Sequence, residues 1–522
     1  MIVFVAFIAY EFLVLKPQQE AKVAAKAQEE QVQKTKAPDV NVQTSGMVTS
    51  TSDMTKSVEA LSSKAIGSNE IVSVIKTAKN IIEIDTLGRI AQVTLLEGKY
   101  KDENDAQIKL FEADQLRPLE VRFADTNINK KAFEVNVTAS AKSLNAVKSK
   151  QELVITQNLG ETVLTKKFTI YPDGHYDLTT SSTNGKKFFI TNGHRPDAAN
   201  ANIGELVAQG VMLKLSDSTN TVIEDGDAEK NENFIGIKFV SNFDKYYTSL
   251  IYNLEKPMAV TIMPDSDEDP QSFVHGNDNV SFSGYMGPKN YRVLESLSPE
   301  LTDAIEYGWF TFIAKPVFSL LQFIQSYVGN WGWSIVLLTI LIKLVLYPLS
   351  YKGMVSMQKL KDLAPKIKDI QAKYKDDKQK QSAQMMELYK KSGANPMGGC
   401  LPLILQIPVF FAIYRVLLNA IELKGAEWIF WIEDLALMDP WFVLPILMGA
   451  SMYLQQKITP NTLQDETQKK IFQFLPVVFT FFFLWFPAGL TLYWFVNNVF
   501  TISQQYYINR IFDKQREAKK NK

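Results

Sequence analysis

The chain has 522 residues, 46% apolar and 21% charged, with 56 Lys+Arg against 56 Asp+Glu. That length suits three or four units at about 150 residues each. A single cysteine, Cys400, excludes a disulfide framework. Three scattered histidines, His175, His194 and His275, leave little for a zinc site, and no phosphate-loop, dinucleotide or zincin motif is present. The zero net charge and mean hydropathy of −0.08 hide two opposite halves. Residues 1–312 hold 42 acids and 32 bases, and residues 313–522 hold 24 bases and 14 acids.

Residues 1–15 are apolar except for Glu11. They fall short of the ~20 residues a spanning helix needs and lack the basic flank of a signal peptide. They read as a first span whose start is missing, with a removed signal peptide as the alternative. Residues 16–66 carry few large apolar side chains and read as a flexible tether, because they cannot bury enough surface to offset ordering.

From 67 to 300 the pattern has period two. Ile82–Asp85 leads through Leu87-Gly88-Arg89 to Ile90–Val93, and Lys167–Tyr171 leads through Pro172-Asp173-Gly174 to His175–Leu178. Alternation broken by such turns predicts an all-β sandwich. Residues 301–330 then predict an amphipathic helix. Ile313, Val317, Leu320, Leu321, Ile324 and Val328 share one face, and Lys315, Ser319, Gln322 and Ser326 the other. It lies in a membrane interface or packs against the β domain.

Spans are expected at 331–350, 400–423, 441–456, 471–486 and 490–508, six with the N-terminal segment. The 351–399 loop has 11 lysines against 5 acids, and the 509–522 tail 6 bases against 2 acids. Loop 424–440 has one lysine and 4 acids. Retention of basic loops inside places both termini, 351–399 and 457–470 in the cytoplasm and the β domain outside. Within 351–399, Met357, Leu360, Ala364, Ile367, Gln371 and Tyr374 form a narrow seam, which predicts an antiparallel helical hairpin turning at 375–378. Pro365 is expected to kink its first arm. Its lysines, Lys366 and Lys368 among them, suit a docking arm, and Met357, Met385 and Met386 an adaptable apolar surface or packing between the arms.

The residue that calls for an explanation is Lys343, inside the apolar run 335–347. A lysine at mid-depth costs about 2.5–3.5 kcal/mol. It lies about 10 Å from a span end at Ser350, so it either snorkels or faces a wet cavity open to the cytoplasm. Thr339, four residues earlier, extends the polar stripe. Gln406, Asn419, Asn497 and Asn498 either line that cavity or bond neighbouring helices, and Arg415 is expected to pair with Glu422. Residues 331–350, 400–421, 441–456 and 471–508 hold no carboxylate, which does not suit ion-coupled transport, and no catalytic, metal or cofactor set is apparent. A base without acids in a helix bundle suits holding polar or acidic peptide segments.

The chain carries the motifs Tyr307-Gly308-Trp309, Gly329-Asn330-Trp331-Gly332, Tyr347-Pro348-Leu349, Asn395–Cys400, Gln406-Ile407-Pro408, Asp439-Pro440, Leu444–Gly449 and Phe486–Leu490. With these it resembles the YidC family of membrane protein insertases in its Gram-negative form. The resemblance implies a polytopic α-helical membrane protein: a five-span core plus the N-terminal span, a large all-β, supersandwich-like periplasmic domain and a cytoplasmic hairpin. It places the family's intramembrane base, usually arginine, on Lys343, its threonine on Thr339 and its aromatic substrate contact, usually tyrosine, on Trp494. Lysine keeps the charge but lacks the guanidinium fork. The resemblance further implies a hydrophilic groove open to cytoplasm and lipid in the bacterial inner membrane. Implied partners are nascent membrane proteins, the Sec translocon, the ribosome and the phospholipid bilayer, without sequence-specific nucleic-acid binding. The alternative is a transporter or channel with a carbohydrate-sensing outer domain.

Overall fold

The structure, a computed structural model, describes residues 70–102, 104–197, 208–375, 377–392, 401–460 and 466–520. The expectations for 1–15 and 16–66, and the Asn395–Cys400 motif, lie outside these residues. Between Ile71 and Pro288 the chain is built of strands with one short α-helix, α1 (Thr126–Glu134). Asp125 caps α1 by accepting from the backbone N–H groups of Asn127 and Ile128. Both expected turns are present. Gly88 (φ 70°) joins strands Asn80–Asp85 and Ile90–Leu95, and Gly174 (φ 91°) joins Val163–Ile170 and Tyr176–Ser182. Each takes a left-handed conformation that glycine adopts without a Cβ clash.

Among the described residues the strands form a four-stranded and a thirteen-stranded sheet. Ile75, Ile84 and Val93 of the small sheet share a core with Ile155, Phe168 and Leu178 of the large one. Alternation holds where one face is covered, as in Tyr176–Ser182. It fails in the centre, where Tyr247–Ile251 is buried on both faces. The second face is covered by the C-terminal half: Phe239, Phe243 and Leu250 join Leu301, Phe318 and Leu338 in one cluster. Strand Glu232–Phe243 serves three neighbours, pairing with Met258–Ile262 across a bulge at Gly236 (φ 78°), with Thr248–Tyr252 beyond it, and with Gly210–Leu215 over Ile237–Phe243.

After α2 (Tyr291–Leu297) and two 3-10 turns comes α3 (Thr311–Val328), closed by Gly329 at φ 74°. Its buried residues are Ala314, Phe318, Leu321 and Gln322, one position on from the expected stripe. Gln322, expected on the polar face, is therefore inside, because α3 turns toward α4 and the helix that follows the hairpin. The expected span at 331–350 is two helices, α4 (Trp331–Val345) and α5 (Tyr347–Lys373), bent by 64°. Pro348 has no N–H to donate back to α4, so the hydrogen-bond ladder is cut there. α5 continues through Pro365.

The remaining helices are α6 (Lys378–Ser392), α7 (Leu401–Asn419), α8 (Val443–Ile458), α9 (Glu466–Phe483) and α10 (Ala488–Lys520). α10 therefore unites the expected last span with the basic tail. Nothing between Ser503 and Lys520 breaks a helix. Gly449 of α8 meets α9 so closely that a Cβ there would collide with the Thr480 hydroxyl. Among the described residues no single helix is both long and apolar enough to cross a bilayer alone. The bent pair α4–α5 is, by length and composition, and shorter apolar helices cover Gln406–Asn419 and Lys470–Phe483.

Candidate functional site

α4 begins at Asn330, whose side chain accepts from the Trp333 N–H, and ends two residues past Lys343. The four-residue spacing of Thr339 and Lys343 puts both on one face, and both are buried. The Thr339 hydroxyl is occupied within the helix, donating to the Ile335 carbonyl at 2.6 Å. Lys343 Nζ donates to Thr501 Oγ1 of α10 at 3.0 Å. Among the described residues it has no carboxylate partner. Its charge is met by that hydroxyl and by the carbonyl end of α4, where a cation is favoured. The distance expected from Lys343 to a straight helix end at Ser350 is thus corrected: the helix stops at Val345, and the ammonium sits at the bend.

Thr339, Ile342, Lys343, Leu346, Gln406, Val409, Tyr493 and Asn497 line a narrow recess between α4, α7 and α10. Gln406 Nε2 donates to Asn497 Oδ1 at 3.0 Å across it. Asn497 and Thr501 follow Tyr493 at intervals of four, so α10 presents a Tyr–Asn–Thr stripe to the lysine. Asn497 is among the sequence candidates, and the same four-residue spacing is the signal for Tyr493 and Thr501, which the sequence reading does not single out. Trp494 is not among the lining residues. It meets the rings of Phe410 (4.6 Å), Phe483 (5.3 Å) and Phe479 (5.9 Å), and its neighbour Tyr493 faces the recess instead. Asn498 donates to Ser451 Oγ at 3.0 Å, fastening α10 to α8.

The expected Arg415–Glu422 pair does not form. α7 ends at Asn419, so Glu422 lies in a separate 3-10 turn and accepts from the Tyr291 N–H at 2.9 Å. Arg415 stands 3.8 Å from Glu306 instead. The hairpin is apart from the recess. Leu360, Leu363 and Ile367 of α5 pack against Met385, Leu388 and Tyr389 of α6. Met357 is half-buried, while Lys366, Lys368 and Met386 are exposed.

This geometry can be set beside known proteins. A family described as 60Kd inner membrane protein matches residues 323–516, and one described as YidC periplasmic domain matches residues 273–320. A protein of Wolinella succinogenes named membrane protein insertase YidC is 52% identical over 86% of this chain and 84% of its own length. A Campylobacter jejuni protein of the same name is 47% identical over 88% of this chain and 87% of its own. The chain belongs to the YidC family. As a YidC-family member it is an inner-membrane protein with a large all-β periplasmic domain and a helical region. Nothing in these matches supports a solute transporter or channel. A crystal structure titled as an active YidC insertase with its first transmembrane domain resolved covers 84% of this chain and 95% of that chain, at 18% identity and a TM-score of 0.37. That overlap is too loose to bear on the argument.

Proposed function

We propose that the chain inserts newly made membrane proteins by drawing their polar flanks into the Lys343 recess while their apolar segments slide along the adjoining helices. The observation that carries this reading is a buried lysine held by a hydroxyl rather than a carboxylate. An incoming acidic side chain would replace a neutral partner by a charged one, which is roughly twice as strong. The recess has room for about one water, so the resting state is narrow and a flank enters as α4, α7 and α10 part. The flank then crosses a shorter stretch without water. Transfer of a segment's Leu, Ile, Phe and Val at roughly 0.3–0.6 kcal/mol each supplies the drive, so neither nucleotide nor cofactor is required and no bond is made or broken.

In this reading six spans put both termini and the α5–α6 hairpin in the cytoplasm and the β domain in the periplasm, as the loop charges favour. The groove opens to cytoplasm and lipid. The exposed Lys366 and Lys368 suit the hairpin to docking with a ribosome or substrate. The Sec translocon is the expected membrane partner.

Reconstitution into liposomes tests this with two single-span substrates that differ only in flank charge. Lys343→Arg should retain insertion. Lys343→Ala should lower the acidic-flank substrate roughly ten- to hundred-fold, as for loss of a charged hydrogen bond of ~1.5–3 kcal/mol, with a smaller effect on the neutral one. Lys343→Glu should be worst. Equal responses of both substrates across the series would reject the electrostatic role. Solute flux without insertion would reject the insertase itself.

A further inference from the structure

Residues 424–440, between α7 and α8, form a loop with two unlike sides. The inner side is fixed. Leu435 and Ile432 are buried, the backbone N–H groups of Ala488 and Gly489 donate to the Leu437 and Leu435 carbonyls at 2.7 and 2.9 Å, and Met438 bridges to Pro487. Buried Asp439 accepts from the Trp431 indole (2.8 Å) and from the backbone N–H groups of Trp441 (3.0 Å) and Leu444 (2.6 Å).

The outer side is apolar. Phe430 is 85% exposed, Trp441 66%, Leu437 63% and Met438 50%. Three rings stack: Phe430 on Trp431 at 5.9 Å and 17°, and Trp431 on Trp441 at 5.5 Å and 10°. Phe430 and Phe442 hold φ of 53° and 55°, a region costly for bulky residues, and such strain persists where the surroundings impose it. A loop held this firmly does not leave an apolar patch of this kind to water without a partner.

The surroundings indicate which partner. The patch runs into Ile446 and Leu447, exposed on α8, and Met438 is bridged two residues beyond exposed Trp485. Asn330, between α3 and α4, donates to the Glu427 carbonyl at 3.0 Å. The loop therefore stands near α3, whose Phe312, Phe323 and Tyr327 are also exposed.

We propose that residues 424–440 are a wedge seated in the outer leaflet, with the stacked Phe430, Trp431 and Trp441 at the boundary of headgroups and acyl chains. Aromatic rings favour that depth. Glu427 and Glu433, exposed on the same loop, keep it from sinking further, since carboxylates stay in water. The wedge also steadies the outer end of the groove, because Trp428 packs on Trp333 of α4 at 5.7 Å and fills the space beside Gly332. This inference rests on the membrane reading above.

The test uses the full chain with Cys400→Ser and single cysteines replacing Phe430, Leu437 or, as reference, Val477 on the exposed side of α9. Each carries an environment-sensitive fluorophore, in vesicles of phosphatidylethanolamine and phosphatidylglycerol. Quenching is compared between a phospholipid spin-labelled high on its acyl chain and aqueous iodide. Lipid quenching and a blue-shifted emission at 430 and 437, as at 477, are expected. Iodide quenching at 430 and 437 with lipid quenching at 477 would overturn the wedge alone. Access to neither quencher at 430 and 437 would mean a protein covers the loop and would equally overturn it. Iodide quenching at 477 as well would take the membrane reading with it.

Discussion

Lys166 and Lys343 are both buried lysines, and their partners give them different work. Lys166 Nζ donates to the carbonyls of Gly88 and Leu119, each at 2.7 Å. It stands beside a closed set of ion pairs: Arg89 bonds Asp85 (2.7 Å) and Glu120 (2.9 Å), Arg117 bonds Asp85 (2.8 Å) and Arg122 bonds Glu120 (2.9 Å). Such satisfaction makes it a structural tie, whereas Lys343 has one hydroxyl. Burial pushes the Lys166 ammonium down to about 7, while in the unfolded chain it titrates near 10.4. Between those values the unfolded chain holds the proton more tightly, so folding releases it and stability rises with pH. Lys245 and Lys289, pushed by burial to about 8, add in the same direction. The melting midpoint of the β-sheet circular dichroism signal should therefore climb from pH 7 to 10. Lys166→Met should reduce that slope and lower the midpoint, because two carbonyls lose their donor at about 1–3 kcal/mol each. A slope unchanged in the variant would assign the trend to other groups. Lys166 was not legible as special in its alternating strand, since its partners lie 47 and 78 residues away. Lys343 was legible because a charge in an apolar run needs an explanation from sequence alone.

Among the elements, strands, turns and the hairpin followed from local pattern, because period and turn chemistry are local. What did not follow was where one helix stops and what it touches. The α4–α5 bend and the continuity of α10 depend on a proline's missing donor and on packing partners distant in sequence. That continuity makes a latch. Arg516 near the end of α10 bonds Asp362 (2.8 Å) and Gln358 (2.9 Å) of α5. Asn509 hydrogen-bonds Gln358 and donates to the Ile458 carbonyl at 2.9 Å. The Arg516–Asp362 pair is partly exposed and contributes only ~0–1 kcal/mol, so the latch can open. Arg516→Ala should raise the opened population up to about five-fold for a loss of ~1 kcal/mol. The readout is the spin-label distance distribution between Lys380 in the hairpin and Lys514 in α10. Deletion of 366–390 should impair insertion while the bundle stays folded. Normal insertion by that deletion would remove the hairpin from the mechanism.

At the scale of the molecule, the acidic and basic halves are joined by a shared core and a charged bridge. Their opposite charges are legible in composition, whereas neither joint is, because its partners lie far apart in the chain. Asp303, in the turn between the sheet and α3, accepts from Lys214 of strand Gly210–Leu215 at 2.6 Å and also pairs with Lys315 of α3. Burial raises its pKa, but the hydrogen bonds from Lys214 and Lys315 outweigh that and hold it below the ordinary carboxylate range. A depressed carboxylate contributes stability above its unfolded value, about 3.9, and loses it as pH falls through the lower folded value. The bridge should thus be unchanged from pH 7 to 5 and release only in stronger acid. Asp303→Asn should mimic that release at neutral pH, because two ammonium groups are left facing each other without a counter-charge; Asp303→Glu should largely restore the bridge. Spin labels at exposed Ser218 beside the sheet and Ser319 on α3 read this directly. A narrow distance distribution should broaden in the Asn variant at pH 7, and in the parent chain only in acid below the ordinary carboxylate range. If the Asn variant stays as narrow as the parent, the shared core of Phe239, Phe243 and Phe318 fixes the two halves without help from charge.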